Sequence, residues 1–170
     1  MIEPQVEAME SQRPARRLEF ACTGRSGHKA RVELETRMTS PLQTRFDFAC
    51  DEGPTLGGDG SAPTPLHLFI GALTGCPMTQ MRNFAGRMNI TLDSLTVDVR
   101  ASWQFTPVAN AYETRPDGIE VDVSIESPDD EDRIAALVTA ARKGCFIEQT
   151  LSVPNKVHHR MKTASGWRYL

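Results

Sequence analysis

The sequence predicts an α+β fold made of antiparallel strands and a small number of helices. Apolar and polar residues alternate in several short segments, and this period of two is typical of strands with one buried face. Over residues 65–88, and again after residue 130, apolar residues recur every three or four positions, which is typical of helices. The resulting order of strands, long helix, two strands, helix and strand indicates the α+β class.

Composition limits the classes of function. The chain has 170 residues, a usual size for one domain, and a formal net charge of −3. Without a long basic run, it offers no electrostatic footprint for nucleic acid or for an anionic membrane. The N-terminus shows no signal-peptide pattern, so we predict a cytoplasmic protein without a nucleic-acid or membrane partner. We predict a loose N-terminal arm over residues 1–16 and a single domain over residues 17–170.

The first part of the chain predicts two or three antiparallel strands. Alternation is visible over residues 18–22, 32–35 and 45–48. Two groups of turn-forming residues separate these segments, at residues 23–27, with two glycines, and at residues 39–41, which end in proline. We therefore expect a turn at each group.

A long helix is predicted over residues 65–88. Thr64 is a suitable N-cap, and Pro65 suits the first helical position, where a backbone N–H would have had no intrahelical partner. Pro77 lies inside this helix and cannot donate to the carbonyl four residues before it. We therefore expect the helix to kink or loosen beside Cys76.

Two strands, a helix and shorter elements are predicted after the long helix. Residues 95–105 and 119–125 alternate clearly and indicate strands. Residues 127–130, Ser-Pro-Asp-Asp, supply a cap and carboxylates that suit the positive end of a helix dipole, and the helix that follows should stop at Gly144. We also expect a short helix and a final strand, at residues 146–151 and 157–161.

Cys76 and Cys145 are the candidate functional thiols. Cys76 lies on the apolar stripe of the long helix, where a cysteine is commonly a small core residue. However, Gly71 and Gly75 would let another backbone come close, and Pro77 disturbs the helix, which is common at functional sites. Cys145 precedes a short helix whose dipole would favour its thiolate, although a buried structural cysteine fits the local sequence equally well.

Two segments of the chain resemble the OsmC/Ohr family, the osmotically inducible protein C and organic hydroperoxide resistance proteins. Residues 56–76 look like the family's Gly-rich loop, proline and helix that lead to its first cysteine. Residues 143–151, Lys-Gly-Cys-Phe-Ile-Glu-Gln-Thr-Leu, resemble its second-cysteine segment. The resemblance extends from about residue 17 to residue 161 and includes the order of the elements.

The resemblance implies antiparallel sheets packed on a long central helix that carries Cys76, in an intertwined homodimer whose N-terminal strands join the partner's sheet. It also implies a thiol-dependent peroxidase without a cofactor or a metal. In such a protein Cys76 attacks an organic hydroperoxide, Cys145 resolves the sulfenate to a disulfide, and a dithiol reduces the disulfide. The family places an arginine near the nucleophile; Arg25 is the candidate here, with Arg37 and Arg45 as substitutes.

One departure from the hydroperoxidase branch bears on the predicted activity. In that branch a glutamate ten residues before the first cysteine holds the arginine, whereas this chain has Leu66, and Glu148 or Asp59 would have to replace it. Residues 63–68 look closer to a less characterised OsmC-like branch. The alternative function is therefore a non-catalytic dimer that binds a small apolar ligand, with cysteines that are redox-sensitive structural groups.

The remaining chemistry-bearing residues suggest no further site. A metal site built from Cys145, His158 and His159 is disfavoured, because adjacent histidines on a strand point to opposite faces and no paired-ligand motif is present. The roles of Cys22 and Cys50 stay open.

Overall fold

The computed structural model describes residues 15–170, which fall into two compact units divided between Leu66 and His67. The predicted α+β class is confirmed, since three antiparallel sheets and three α-helices occur within the described residues. Of the arm predicted over residues 1–16, residues 1–14 lie outside the described part. The single domain over residues 17–170 stays a prediction.

The first unit contains a three-stranded antiparallel sheet. Its strands are β1 (Glu19–Ser26), β2 (Val32–Ser40) and β3 (Thr44–Cys50), with β2 in the centre. The predicted turn at residues 23–27 is wrong, because β1 continues to Ser26 in register with β2. The turn follows at Gly27, whose amide donates to the Arg31 carbonyl at 2.7 Å. Ladder hydrogen bonds to β2 therefore outweigh the local turn preference of the Thr-Gly sequence.

A Gly-rich loop follows β3 and is organised around one buried carboxylate. Asp51 is 1% exposed and accepts hydrogen bonds from the Glu52 amide at 2.9 Å, the Ser61 amide at 2.9 Å and the Ser61 hydroxyl at 2.7 Å. The bonds from Ser61 are the main reason that the pKa of the Asp51 carboxyl lies below its ordinary value. The loop includes a short 3₁₀ helix, Pro54–Leu56, and is followed by the first long helix.

The second unit is built on helix α1 (Pro65–Met88) and a long hairpin. Helix α1 has the predicted bounds and continues through Pro77. The hairpin strands β4 (Ser94–Val108) and β5 (Ala111–Glu126) extend beyond the predicted segments, because each supplies the other with hydrogen-bond partners up to the turn. Val97 lies opposite Val123, and the alternate pairs around them place the apolar residues on one face.

Helix α2 (Glu131–Gly144) is fixed at its start by side chains and ends where the sequence predicts. The Asp130 carboxylate caps it by accepting from the Arg133 amide at 2.9 Å. The Arg133 guanidinium donates to the carbonyls of Met88 and Asn89, both at 2.9 Å, and so satisfies acceptors at the end of α1. After Cys145 comes the short helix α3 (Phe146–Ser152).

The C-terminal segment forms a hairpin where one strand was predicted. Strands β6 (Arg160–Thr163) and β7 (Gly166–Tyr169) pair with each other, and the predicted strand at residues 157–161 overlaps only β6. Gly166 has φ of 117°, a conformation that glycine adopts readily, and this favours the turn between the strands. The Arg160 guanidinium lies 5.0 Å from the centre of the Trp167 ring, which adds a contact across the hairpin.

The core of the second unit lies between the two longer helices and the β4–β5 sheet. One cluster joins Met81 of α1, Val97 of β4 and Ala141 of α2, and a second contains Ala85 and Leu137. This confirms the expectation of a sheet packed on the long helix. No helix within the described residues is long and apolar enough to cross a membrane.

Candidate functional site

Cys76 is carried by the middle of α1, at the edge of its buried stripe. Leu73, Pro77 and Met81 are buried along this stripe, and Cys76 is partly exposed beside them. Because Pro77 has no N–H, the carbonyl of Leu73 lacks its usual intrahelical donor. Thr79 also donates its hydroxyl hydrogen bond to the Gly75 carbonyl at 2.9 Å, as threonine commonly does within a helix.

Cys145 occupies the single residue that separates α2 from α3. Its side chain is fully buried, and its sulfur accepts a hydrogen bond from the Glu148 amide at 3.4 Å, as an N-cap residue does. Its own amide donates to the Arg142 carbonyl at 3.4 Å, and its carbonyl accepts from the Gln149 amide at 2.9 Å. Both helices therefore hold this thiol in one orientation.

The side chains of Cys76 and Cys145 are close enough for Cys76 to raise the pKa of the Cys145 thiol. Gly144 helps to explain the close approach of their helices, since a Cβ at residue 144 would lie only 2.7 Å from Cζ of Phe84 on α1. The absence of a side chain at this position lets the end of α2 pack against α1. Helix packing thus makes neighbours of two thiols that are distant in sequence.

Burial sets the protonation of this pair. Burial is the main cause that raises the pKa of the Cys145 thiol. The amide of Glu148 lowers this pKa in part, and the neighbouring Cys76 side chain raises it further. A thiol with a raised pKa keeps its proton at neutral pH, so Cys145 is a neutral thiol there. The thiolate is the form that attacks peroxides, so Cys145 is poorly suited to the first attack.

A cavity of about 430 Å³ in the second unit is lined by residues next to this pair, although neither cysteine belongs to its lining. Its lining includes Pro77, the residue after Cys76, and Glu148, whose amide donates to the Cys145 sulfur. The other lining residues are apolar except for one arginine: Met81, Ile119, Val121, Val123, Val138, Ala141 and Arg142. A cavity of this size and composition suits a small organic molecule.

The three arginines considered from the sequence all lie in the sheet of the first unit, and two of them already bind carboxylates. Glu35 is 8% exposed and pairs with Arg37 and, at 3.0 Å, with Nη2 of Arg45. Arg45 also binds Asp47 at 3.0 Å. Arg25, on β1, makes no ion pair within residues 15–170, and is therefore the one whose guanidinium is available to another group.

The acids suggested as replacements for the missing glutamate have partners of their own. Leu66 is 50% exposed at the start of α1 and offers no acceptor. Asp59 pairs with Lys29 in the first unit, and Glu148 pairs with Arg142 in the second, with Nε to Oε1 at 3.0 Å. Arg142 was not identified from the sequence, although its position three residues before Cys145 was a signal that it could lie near the thiols.

The two remaining cysteines lie in the first unit. Cys22 is exposed on β1, and Cys50 is buried at the end of β3. Within residues 15–170, no group of three or more His, Cys, Asp or Glu side chains is close enough to hold a metal ion. Neither observation assigns these two thiols a role.

Comparisons with known proteins agree with the resemblance seen in the two cysteine segments. Residues 58–160, more than half of the chain, match the family model described as OsmC-like protein. The chain is also similar to the crystal structure of an OsmC-like hydroperoxide resistance protein from Jannaschia sp. CCS1. The two are 42% identical, with 90% of this chain and 97% of that chain covered and a TM-score of 0.62.

More distant structures share the fold. An OsmC-like protein from Mycoplasma pneumoniae is 19% identical, with 81% of this chain and 88% of that chain covered and a TM-score of 0.55. An organic hydroperoxide resistance protein OsmC from Legionella pneumophila is 20% identical, with coverage of 78% and 88% and a TM-score of 0.53. A comparison with curated protein sequences gave no match.

Proposed function

We propose that this chain, which belongs to the OsmC-like protein family, is a thiol-dependent peroxidase that reduces organic hydroperoxides. Cys76 is the attacking thiol and Cys145 the resolving thiol. The observation that carries the proposal is the interaction between these two thiols, distant in sequence, next to a cavity lined mostly by apolar residues. The hydroperoxide resistance named for the Jannaschia protein supports the same substrate class.

The chemistry requires one hydroperoxide and one dithiol for each cycle. The Cys76 thiolate attacks the distal oxygen of the hydroperoxide, the O–O bond breaks, and the alkoxide leaves and takes up a proton to become an alcohol. Cys76 is then a sulfenic acid. The Cys145 sulfur attacks it, water leaves, and a Cys76–Cys145 disulfide forms. An external dithiol returns both residues to thiols and is itself oxidised to a disulfide.

The apolar lining favours hydroperoxides with an organic group over hydrogen peroxide. Of the nine lining residues, all except Arg142 and Glu148 have apolar side chains. An alkyl or aryl group gains free energy when it leaves water for such a cavity, by about 25 cal/mol for each Å² of apolar surface that is buried. Hydrogen peroxide has no apolar surface and gains nothing from this lining.

Arg25 is proposed as the cation that favours the Cys76 thiolate. Its guanidinium makes no ion pair within the described residues, whereas Arg37 and Arg45 are held by Glu35. A cation near a partly buried cysteine offsets the cost of removing the thiolate from water. Arg25 would act on the Cys76 thiolate itself. Its effect would therefore not depend on which reagent the thiolate attacks.

A homodimer is also part of the proposal. A Cβ added at Gly71 or Gly75 of α1 would meet no atom within 4 Å in a single chain, so this surface leaves room for another backbone. The outer half of the β4–β5 hairpin exposes Phe105 (66%) and Tyr112 (56%), which an intertwined partner would cover. Light scattering that returned the 18.8 kDa mass of one chain would contradict it.

One experiment separates the peroxidase from a non-catalytic binder that uses the same cavity. The reduced protein is mixed with an equimolar amount of cumene hydroperoxide, free thiols are counted, and disulfides are mapped by mass spectrometry. Loss of two thiols for each peroxide, with a link between Cys76 and Cys145, is the expected result. Unchanged thiols, or oxidation confined to Cys22 and Cys50, would instead support the binder.

The raised pKa of Cys145 predicts how disulfide formation depends on pH. The attacking form of this residue is its thiolate, whose fraction is low at neutral pH because the pKa lies above the ordinary thiol value. The rate constant of disulfide formation should therefore rise by about tenfold for each pH unit and still be rising between pH 8 and 9. Rapid-quench mass spectrometry of the sulfenate and the disulfide measures it. A plateau below pH 8 would show that another step limits resolution.

A further inference from the structure

The cavity beside the thiols contains a single ion pair. Arg142, in the last turn of α2, and Glu148, in the first turn of α3, both belong to its lining, and Arg142 Nε lies 3.0 Å from Glu148 Oε1. All the other lining residues are apolar. Any polar group of a molecule in the cavity can therefore find a charged partner only at this position on its wall.

The backbone on either side of Cys145 holds this pair in place. The Arg142 carbonyl accepts from the Cys145 amide at 3.4 Å and from Gln149 Nε2 at 3.1 Å. The Glu148 amide donates to the Cys145 sulfur at 3.4 Å. Because Arg142 and Glu148 both bond directly to Cys145, their distance from the thiol pair is set by the same helix junction.

The Arg142 guanidinium retains donors that Glu148 does not use. Only its Nε–H bonds to the carboxylate, and neither Nη group makes a hydrogen bond within the part of the chain that the structure describes. Arginine has five N–H donors, so four remain for a ligand. The Glu148 carboxylate binds one N–H of the guanidinium and leaves the other donors unoccupied.

We propose that Arg142 is a catalytic residue that donates hydrogen bonds to the peroxide oxygens of a substrate in this cavity, and that Glu148 is the positioning residue that orients it. The proposal rests on the proposed function.

The role follows from where charge develops. As the Cys76 sulfur bonds to one peroxide oxygen, the O–O bond breaks and negative charge moves to the oxygen that carries the organic group. A guanidinium N–H aimed at this oxygen stabilises the leaving alkoxide until it takes a proton from water. The Arg142 side chain is 69% exposed, so water competes for its donors and the effect is smaller than that of a buried oxyanion site.

Two reagents distinguish this role from a structural one. Cumene hydroperoxide requires stabilisation of its leaving oxygen, whereas iodoacetamide alkylates the same thiolate and has no peroxide group. Both second-order rate constants are measured at Cys76 by rapid quench and mass spectrometry, for the reduced full-length protein and its variants. A change in the reactivity of the Cys76 thiolate alters both rate constants. Loss of a hydrogen bond to the peroxide oxygen alters only the rate constant with cumene hydroperoxide.

Arg142→Gln is expected to lower the rate constant with cumene hydroperoxide by roughly 10- to 100-fold and to leave that with iodoacetamide within twofold. Arg142→Lys, which keeps the charge, should fall between wild type and Arg142→Gln. Lys143→Gln is the matched control, because it removes an adjacent positive charge outside the cavity lining; it should not change either constant. Circular dichroism establishes that the variants are folded.

Arg25 and Glu148 extend the test. Arg25→Gln should lower both rate constants, since Arg25 is proposed to act on the thiolate. Glu148→Ala should lower only the constant with peroxide, and by less than Arg142→Gln does. Glu148→Gln, which retains an oxygen acceptor for Arg142 Nε, should recover most of that loss. If Arg142→Gln is unfolded, Arg142→Lys and the two Glu148 variants provide the same comparison.

The outcomes separate the two proposals. If the wild-type protein does not react with cumene hydroperoxide, the proposed function fails and the role of Arg142 fails with it. If the wild type reacts and Arg142→Gln stays within twofold of Lys143→Gln, the role of Arg142 is rejected while the proposed function stands. Equal losses with both reagents would also reject it, because they would show that Arg142 acts through the structure of the thiol site.

Discussion

Replacement of Cys76 by serine is expected to abolish hydroperoxide consumption, with a loss of at least about a thousandfold, as when other covalent nucleophiles are removed. A serine hydroxyl has no anionic form at neutral pH that could attack the O–O bond, and the other thiol of the pair, Cys145, is fully buried with a raised pKa. Consumption of cumene hydroperoxide by the reduced variant, followed with a dithiol in excess, measures the effect.

Two matched substitutions locate the effect at Cys76. Cys145→Ser should react once with peroxide, form no disulfide, and leave Cys76 to be oxidised further to the sulfinic acid when peroxide is in excess. Cys22→Ser removes an exposed thiol of the first unit and should turn over at the wild-type rate. Equal turnover in wild type and Cys76→Ser would show that the nucleophile has been assigned to the wrong residue.

Gly58→Ala is expected to cause the largest loss of stability of any single methyl addition in the Gly-rich loop. A Cβ at residue 58 would overlap the Glu52 carbonyl oxygen and come within 2.6 Å of Asp51 Oδ1. Relief of this overlap requires movement of the backbone that supports the buried Asp51 carboxylate. We expect the free energy of unfolding to fall by about 2–3 kcal/mol and the melting temperature by about 5–10 °C.

Gly53→Ala is the control for this change. Gly53 lies in the same loop with φ of −71°, which alanine adopts without strain, and a Cβ there would meet no atom within 4 Å. Its melting temperature, measured by calorimetry, should lie within about 2 °C of wild type, as for most surface substitutions. If Gly58→Ala melts at the temperature of Gly53→Ala, the loop is not packed around Asp51 as described.

Local pattern was sufficient for the elements whose signals come from neighbouring residues. The bounds of α1 follow from Pro65 at the first helical position and from apolar residues at helical spacing up to Met88. The end of α2 at Gly144 and the start of α3 directly after Cys145 follow in the same way. In these segments propensity, capping and periodicity all favour one structure, and the fold preserves it.

Local pattern failed where pairing with a distant strand decided the outcome. Gly24 and Arg25 belong to a turn by composition, yet they lie in β1 because β2 offers a hydrogen-bond partner along its full length. The C-terminal hairpin was missed for a related reason. Strand β7 is only four residues long, so its alternation is too short to detect, and it is stable as a strand because β6 pairs with it.

The sequence by itself determined the α+β class, the helix that carries Cys76, and the placement of Cys145 between two helices, because each depends on residues close together in the chain. Only the tertiary structure decided that the two thiols are neighbours and that Arg142 and Glu148 line the same cavity. These contacts arise from the packing of α2 against α1, which Gly144 permits, and distances between elements are not encoded in the pattern of either one.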